Sequence, residues 1–189
     1  MQQSEPTDGE LVARSLAGNR EAFGCLYDRY ARLVRAVASG VSLDWPTVQD
    51  LAQESFLRAY RNLRRLREPD RFGAWVVGIA RQVARERRRT LRRDRHEFVG
   101  ERPLEIESPA DGSETVDRAE QTQLLLRMLG KLDERERLAI HVFFLQEHDA
   151  NRSAELLNVS RSGLYALVNR GLKRLAELFD RCDAERKSK

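Results

Sequence analysis

The sequence predicts an all-α chain of two small helical domains joined by a flexible acidic linker, and three observations predict it. Apolar residues recur at three- and four-residue steps from Val48 to Leu63 and again from Phe72 to Val83. From His96 to about Glu114 that spacing disappears, and proline, glycine, serine and carboxylates take its place. Helix punctuation then returns in the last third and ends on a short helix, a tight turn and a longer helix. A chain of 189 residues forms one or two small domains, and 41% hydrophobic residues suffice for modest cores.

Between Val48 and Leu63, the residues Val48, Leu51, Ala52, Phe56, Ala59 and Leu63 form one buried stripe. Asp50, Gln53, Glu54, Leu57 and Arg61 fall on the opposite side. A solvated face is the ordinary reading of such residues. Leu57 points the other way, because an apolar residue among acids and amides is what a docking face carries. In the next helix, Phe72, Trp75, Val76, Ile79, Ala80 and Val83 share the inward stripe, and Trp75 at helical spacing is read as core. The other face carries Arg81, Gln82, Arg85, Arg88, Arg89 and Arg92 within a dense run of arginines. Such a run repels itself unless something anionic lies against it, and aromatic residues beside cations suit an unpaired nucleic acid strand. A solvated helical end remains the alternative.

Farther along, LLLRMLGKL closes a helix near Gly130, and Asp133 with Glu136 gives a D-x-x-E start for the next. LAIHVFFL is apolar enough to be the central helix of a small bundle. Asp149 to Leu157 reads as a short helix, LNVS as a turn, and Ser160 as the N-cap of the terminal helix, which is the order of a helix-turn-helix. Leu164, Leu167, Val168 and Leu175 are expected to pack inward.

The net charge is only +4, yet 34% of residues are charged, so the segregation of charge says more than its total. The N-terminus MQQSEPTDGE lacks the apolar run of a signal peptide, and no stretch reaches the roughly 18 apolar residues that span a bilayer. The simplest location is the cytoplasm, without membrane insertion. Little sequence follows the terminal helix, so no extra C-terminal regulatory domain is expected. Cys25 and Cys182 make no disulfide framework, and Cys25 is read as a small core residue. His96, His141 and His148 form no metal-ligand spacing with them, and no Gly-rich phosphate loop or nucleophile elbow occurs. The expectation is therefore a protein that is not an enzyme, with no cofactor and no metal. His141 is read as a satisfied core or boundary histidine.

DLAQESFLRAYRNL followed by FGAWVVGIARQVARERRR resembles the second conserved region of bacterial RNA polymerase sigma factors of the extracytoplasmic-function group. ELVARSLAGNREAFGCLYDRYARLV fits the same pattern upstream, so the resemblance covers most of residues 8–95. It implies that Asp50, Gln53, Glu54 and Leu57 contact the clamp helices of core RNA polymerase. It also implies that Trp75, Arg81, Gln82 and Arg85, with Arg88 and Arg89 of the same run, bind the minus-ten promoter element as a melted non-template strand. Loops of the kind RRLREPDRF capture a flipped base in that family, which makes Arg67, Asp70 and Arg71 specificity candidates. Val77, Gly78 and Gln82 depart from the family's usual strand-facing residues, so the promoter sequence does not carry over.

SAELLNVSRSGLYALVNRGLKRLAEL resembles the fourth conserved region, which reads the minus-thirty-five element as duplex DNA. The implied contacts are Arg161, Ser162, Tyr165, Asn169, Arg170 and Lys173, the first of them toward base edges and the later ones toward phosphates. Asn158 replaces a common turn glycine, which is tolerable because asparagine accepts a left-handed backbone. The implied organisation is a region 2-like domain over 8–95, a linker over 96–114 and a region 4-like domain over 115–181. The linker is a tether, and in the family it threads toward the RNA exit channel. An anti-sigma factor is a further partner that the resemblance allows. Two other readings stay open on the residues alone. A helix-turn-helix regulator acting without polymerase would not need the Asp50–Leu57 face. A single-strand nucleic-acid-binding adaptor would leave the C-terminal motif unexplained.

Overall fold

The computed structural model describes residues 5–41, 44–97 and 116–187, and these are helical throughout with short connections. The linker expected over 96–114 lies outside the described residues except for its first two, which continue a helix. Each early helix begins where a side chain replaces a missing backbone partner. Thr7 and Glu10 form a reciprocal capping box at the start of α1 (Asp8–Leu16), with Glu10 N donating to Thr7 Oγ1 at 3.2 Å and Thr7 N to Glu10 Oε2 at 2.8 Å. Asn19 Oδ1 accepts from Ala22 N at the start of α2 (Arg20–Ala38). Asp44 accepts from Thr47 N at 2.9 Å to open α3 (Trp45–Asn62), where Pro46 occupies a first-turn position that needs no donor. Two short 3-10 turns, Leu63–Arg65 and Pro69–Arg71, then reverse the chain into α4 (Phe72–Glu97).

The stripes expected in α3 and α4 are the buried ones, with Trp75 and Ile79 partly exposed at the edge. Ala52, Phe56, Ala59, Leu63, Phe72, Val76 and Ala80 of these stripes join Leu11, Leu26, Tyr30, Leu33 and Val34 in the main core between α1, α2, α3 and α4, while Val48, Leu51 and Val83 form a smaller cluster with Ala38. Cys25 does not join it. The inward face of α2 is set by Ala22, Leu26, Tyr30, Leu33 and Val37, and Cys25 falls beside that stripe in solvent. Val77, expected on the strand-facing surface, is instead buried in the same core.

The C-terminal helices are α5 (Val116–Gly130), α6 (Glu134–Leu145), α7 (Ala150–Leu157) and α8 (Arg161–Lys187). Asp133 caps α6, but its carboxylate accepts from Arg135 N at 2.9 Å. Glu136, the expected partner of a capping box, points inward to Arg174, so no reciprocal box forms. Asp149 caps α7 through Asn151 N and Arg152 N, and Asn158 ends it in the left-handed conformation at φ 53° and ψ 51°. Ser160 Oγ then accepts from Gly163 N at 3.1 Å as α8 begins. Leu164, Val168 and Leu175 are buried as expected, and Leu167 is half-buried.

The two halves of the chain share a core. Leu138 and Val142 of α6 and Leu156 of α7 belong to the apolar cluster built by α1 to α4. α6 packs on α2, and α7 packs on α4. Gly73 makes that second contact feasible, because a Cβ there would lie 2.6 Å from both Leu156 Cδ2 and Tyr30 Cε1. Gly171 plays the same part where α8 crosses α6, since its Cβ would meet Ile140 Cδ1 at 2.7 Å.

Candidate nucleic-acid and polymerase interface

The outer face of α3 is the one expected to meet a protein. Asp50 and Gln53 are exposed, Leu57 is 41% exposed, and Glu54 is half-buried. Glu54 is not free, because its Oε1 accepts from Arg58 Nε at 2.6 Å while Arg58 Nη1 reaches Glu86 Oε2 of α4 at 2.6 Å. These hydrogen bonds, from Arg58 first and Gln82 second, hold the Glu86 carboxyl below the usual carboxylate range. Tyr60 extends the face one turn beyond Leu57, at 46% exposure and with its ring edge-on to Phe23 at 4.9 Å. Sequence reasoning missed it, although its spacing of three from Leu57 is the signal that places it there.

The residues expected to meet a melted strand are only partly gathered. Trp75 lies against Phe72 with ring centroids 5.9 Å apart and is partly exposed. Gln82, Arg85 and Arg89 are exposed on the same helix. Gln82 Nε2 is held by Glu86 at 3.0 Å. Arg81 is half-buried and donates to Glu134 Oε1 of α6 at 2.9 Å, and Arg85 Nη2 lies 3.8 Å from the same oxygen. Arg88 is turned onto the carbonyl of Gly40 at 3.0 Å. In the preceding loop Arg67 is exposed, while Asp70 accepts from Gly9 N at 3.0 Å and so anchors the first turn of α1. Arg71 Nη2 reaches Asn158 Oδ1 at 3.1 Å.

The exposed face of α8 carries Arg161, Ser162, Tyr165, Asn169, Arg170 and Lys173 together, as its spacing requires. Tyr165 leans edge-on to Phe143 of α6 at 6.0 Å, which limits its freedom. Arg170 lies 3.8 Å from the buried Glu136, whose other oxygen accepts from Arg174 at 2.9 Å. α7, a turn from Asn158 to Ser160, and α8 thus present one cationic and polar helix face.

A polar lock that spacing could not reveal joins the halves. Asp8 is buried, accepts from Arg29 Nη1 at 2.6 Å, and accepts a short hydrogen bond from the Tyr30 hydroxyl. Arg152 Nη2 of α7 donates to that hydroxyl at 2.5 Å and lies 3.7 Å from Asp8 Oδ2. Burial, then the hydrogen bond to Asp8, pushes the Tyr30 phenol well above its usual value. Burial, then nearby Arg137, pushes His141 down to about 4, so it is neutral near pH 7. No group of three His, Cys, Asp or Glu among the described residues would hold a metal, and no described helix is long and apolar enough to cross a membrane.

The family described as Sigma-70 region 2 matches residues 26–94, the segment that holds most of α2 and the α3 and α4 faces. The chain is 29% identical over 171 residues to the ECF RNA polymerase sigma factor BldN of Streptomyces coelicolor, covering 90% of this chain and 65% of BldN. It is 29% identical over 179 residues to the probable RNA polymerase sigma factor RfaY of Xanthomonas campestris pv. campestris, covering 91% of this chain and 44% of that relative. The chain thus spans less than two thirds of the length of both relatives. The fold is similar to that of CnrH, solved in complex with the cytosolic domain of CnrY, with a TM-score of 0.64 and 24% identity over 92% of this chain and 97% of that one. Residues 26–94 thus match Sigma-70 region 2, and over most of its length the chain is similar to RNA polymerase sigma factors of the extracytoplasmic-function group.

Proposed function

We propose that the protein is a promoter-specificity subunit of bacterial RNA polymerase, working in the cytoplasm without catalytic chemistry of its own. The observation that carries this reading is the adjacency of two faces within residues 26–94. The α3 face offers Asp50, Gln53, Glu54, Leu57 and Tyr60 to a protein. The helix that follows offers Trp75, Gln82, Arg85 and Arg89 to an anionic strand. A regulator acting without polymerase has no use for the first face, and a single-strand adaptor has no use for α8.

In this reading residues 8–95 and 115–181 are the two functional domains, tethered through 96–114. The α3 face binds core polymerase. α8 reads duplex DNA as the second helix of a helix-turn-helix, with Arg161, Ser162 and Tyr165 near base edges and Asn169, Arg170 and Lys173 near phosphates. α4 and the loop before it then hold the opened non-template strand by stacking and by guanidinium contacts. CnrH is solved with the cytosolic domain of CnrY, and an anti-sigma factor is a third partner on the same reasoning. Run-off transcription of genomic DNA by core polymerase, with and without this protein, tests the proposal. Start sites that appear only in its presence support it, and identical transcripts in both reactions refute it.

A further inference from the structure

Cationic side chains gather at the seam where α6 and α7 pack on the helices before them. Arg81, Arg85 and Arg88 of α4, with Arg137 and Glu134 of α6, line a cleft of about 10 Å³ there. Glu134 is the one carboxylate in that lining, and its Oε1 is committed to Arg81 at 2.9 Å, with Arg85 Nη2 at 3.8 Å. Arg88 spends a donor on the neutral Gly40 carbonyl at 3.0 Å. Four guanidinium groups thus face one carboxylate across a cleft, and positive charge is left over.

Arg137 carries the part of that charge that nothing answers. It is 4% exposed, its Nη1 reaches the Leu132 carbonyl at 3.4 Å, and its Nε has no hydrogen-bond partner among the described residues. Gly40 lets the group come so close, because a Cβ there would lie 2.3 Å from Arg137 Nη2 and 2.8 Å from its Nε. Burial, then Arg88 beside it, pushes the Arg137 guanidinium below its usual value, yet an arginine keeps its proton in a protein. A buried charge is costly unless it is both paired and hydrogen-bonded. Water would satisfy the Nε donor and leave the charge as it is. An anion does both, through the charge-assisted hydrogen bonds that guanidinium groups form best. The cleft also limits its size, since about 10 Å³ is room for one small ion and not for a sugar or a base.

We propose that the cleft between α4 and α6 is a binding site for one small inorganic anion, chloride or a single phosphate, held chiefly by Arg137 and Arg88. The ion offsets the repulsion between these two guanidinium groups and gives the buried Nε its acceptor. The site does not depend on what the outer face of α4 binds, because Arg137 belongs to α6 and is buried.

The test is thermal unfolding of the full chain in sodium gluconate, with chloride replacing gluconate stepwise. Gluconate is too large for the cleft, and constant ionic strength keeps surface screening equal. The Tm is expected to rise by about 3 °C and then level off, as a single site requires. Arg137→Met removes the unanswered charge and should abolish the rise. Should that variant lose helicity by circular dichroism, Arg88→Gln replaces it with the same expectation. Chloride NMR line widths measure the site without unfolding, and the line should be broad with the wild type and narrow with the variant. Phosphate stabilises proteins generally by exclusion, so its arm is read from competition for that line. A line that phosphate narrows shows that the site takes oxyanions, and one that it leaves broad shows a halide site; both support the proposal. An equal Tm in chloride and gluconate, or a variant that keeps the rise, overturns it and leaves water as the partner of Arg137 Nε.

Discussion

Removing the Tyr30 hydroxyl tests whether α7 is held against α2 in the free chain. Tyr30→Phe keeps the ring, which packs on Phe72 at 5.7 Å, and deletes only the oxygen that donates to Asp8 and accepts from Arg152. Asp8 keeps its 2.6 Å bond to Arg29, so its charge is not stranded. Hydrogen bonds to charged groups contribute about 1.5 to 3 kcal/mol each when buried. Arg152 is 34% exposed on its side chain, and water replaces part of what it loses. The expected cost is about 2 kcal/mol, a fall of roughly 4 to 8 °C in Tm for a chain of this size. Arg152→Ala removes the same link from the other side. Urea unfolding of the two single variants and the double variant gives their coupling, expected at about 1 kcal/mol because the residues share one contact. A coupling of zero within error would show that α7 and α2 do not meet in solution.

Further outcomes follow from single residues. His141 is held neutral with a folded value of about 4, below its unfolded value of about 6.5, so the unfolded chain binds more protons between those limits. Stability is therefore full above about pH 6.5 and declines as pH falls toward 4, by about 2 to 3 kcal/mol at most, and His141→Leu should remove that share of the slope in urea titrations across the window. Asn158 at φ 53° favours glycine over alanine. Both replacements lose the bond to Arg71, so Asn158→Gly should be about 1 kcal/mol more stable than Asn158→Ala, and equal unfolding midpoints would contradict the strain argument. Asp50→Ala with Leu57→Ala should weaken capture of core polymerase about ten-fold in a pull-down while leaving the circular dichroism spectrum unchanged. Arg170→Ala with Lys173→Ala should lower the salt dependence of duplex binding by roughly 0.9 per lost phosphate contact, and an unchanged slope would take those residues off the DNA.

Local features were legible in the sequence because their causes are local. The α3 and α4 stripes follow from 3.6-residue periodicity, and Asp149, Asn158 and Ser160 mark helix ends through their own side chains or backbone preferences. Cys25 was misread because small residues fit either side of an amphipathic helix, and only the packing of Leu26 and Ala22 decides the face. Glu136 matched a capping pattern, yet Arg174 outcompeted the backbone for it. The seam was invisible for a different reason. Arg81 pairs with a residue 53 positions away, Arg71 with one 87 away and Arg152 with one 122 away, and no periodicity spans such distances. Asp70 looked like a loop residue free for specificity, but its carboxylate serves the α1 backbone 61 positions earlier.

Permanganate footprinting of promoter complexes tests most directly whether the α4 face captures a melted strand during polymerase-dependent initiation. Stacking and guanidinium contacts contribute about 1 to 3 kcal/mol per base, comparable to opening a base-pair step at about 1.4 kcal/mol. Losing them should therefore block melting more than initial binding. Holoenzyme carrying Arg81→Ala and Gln82→Ala is expected to form the closed complex, to show little reactive thymine near the start site, and to regain transcription on a template already unpaired there. Normal thymine reactivity in that variant, or no rescue by the pre-opened template, would contradict the account.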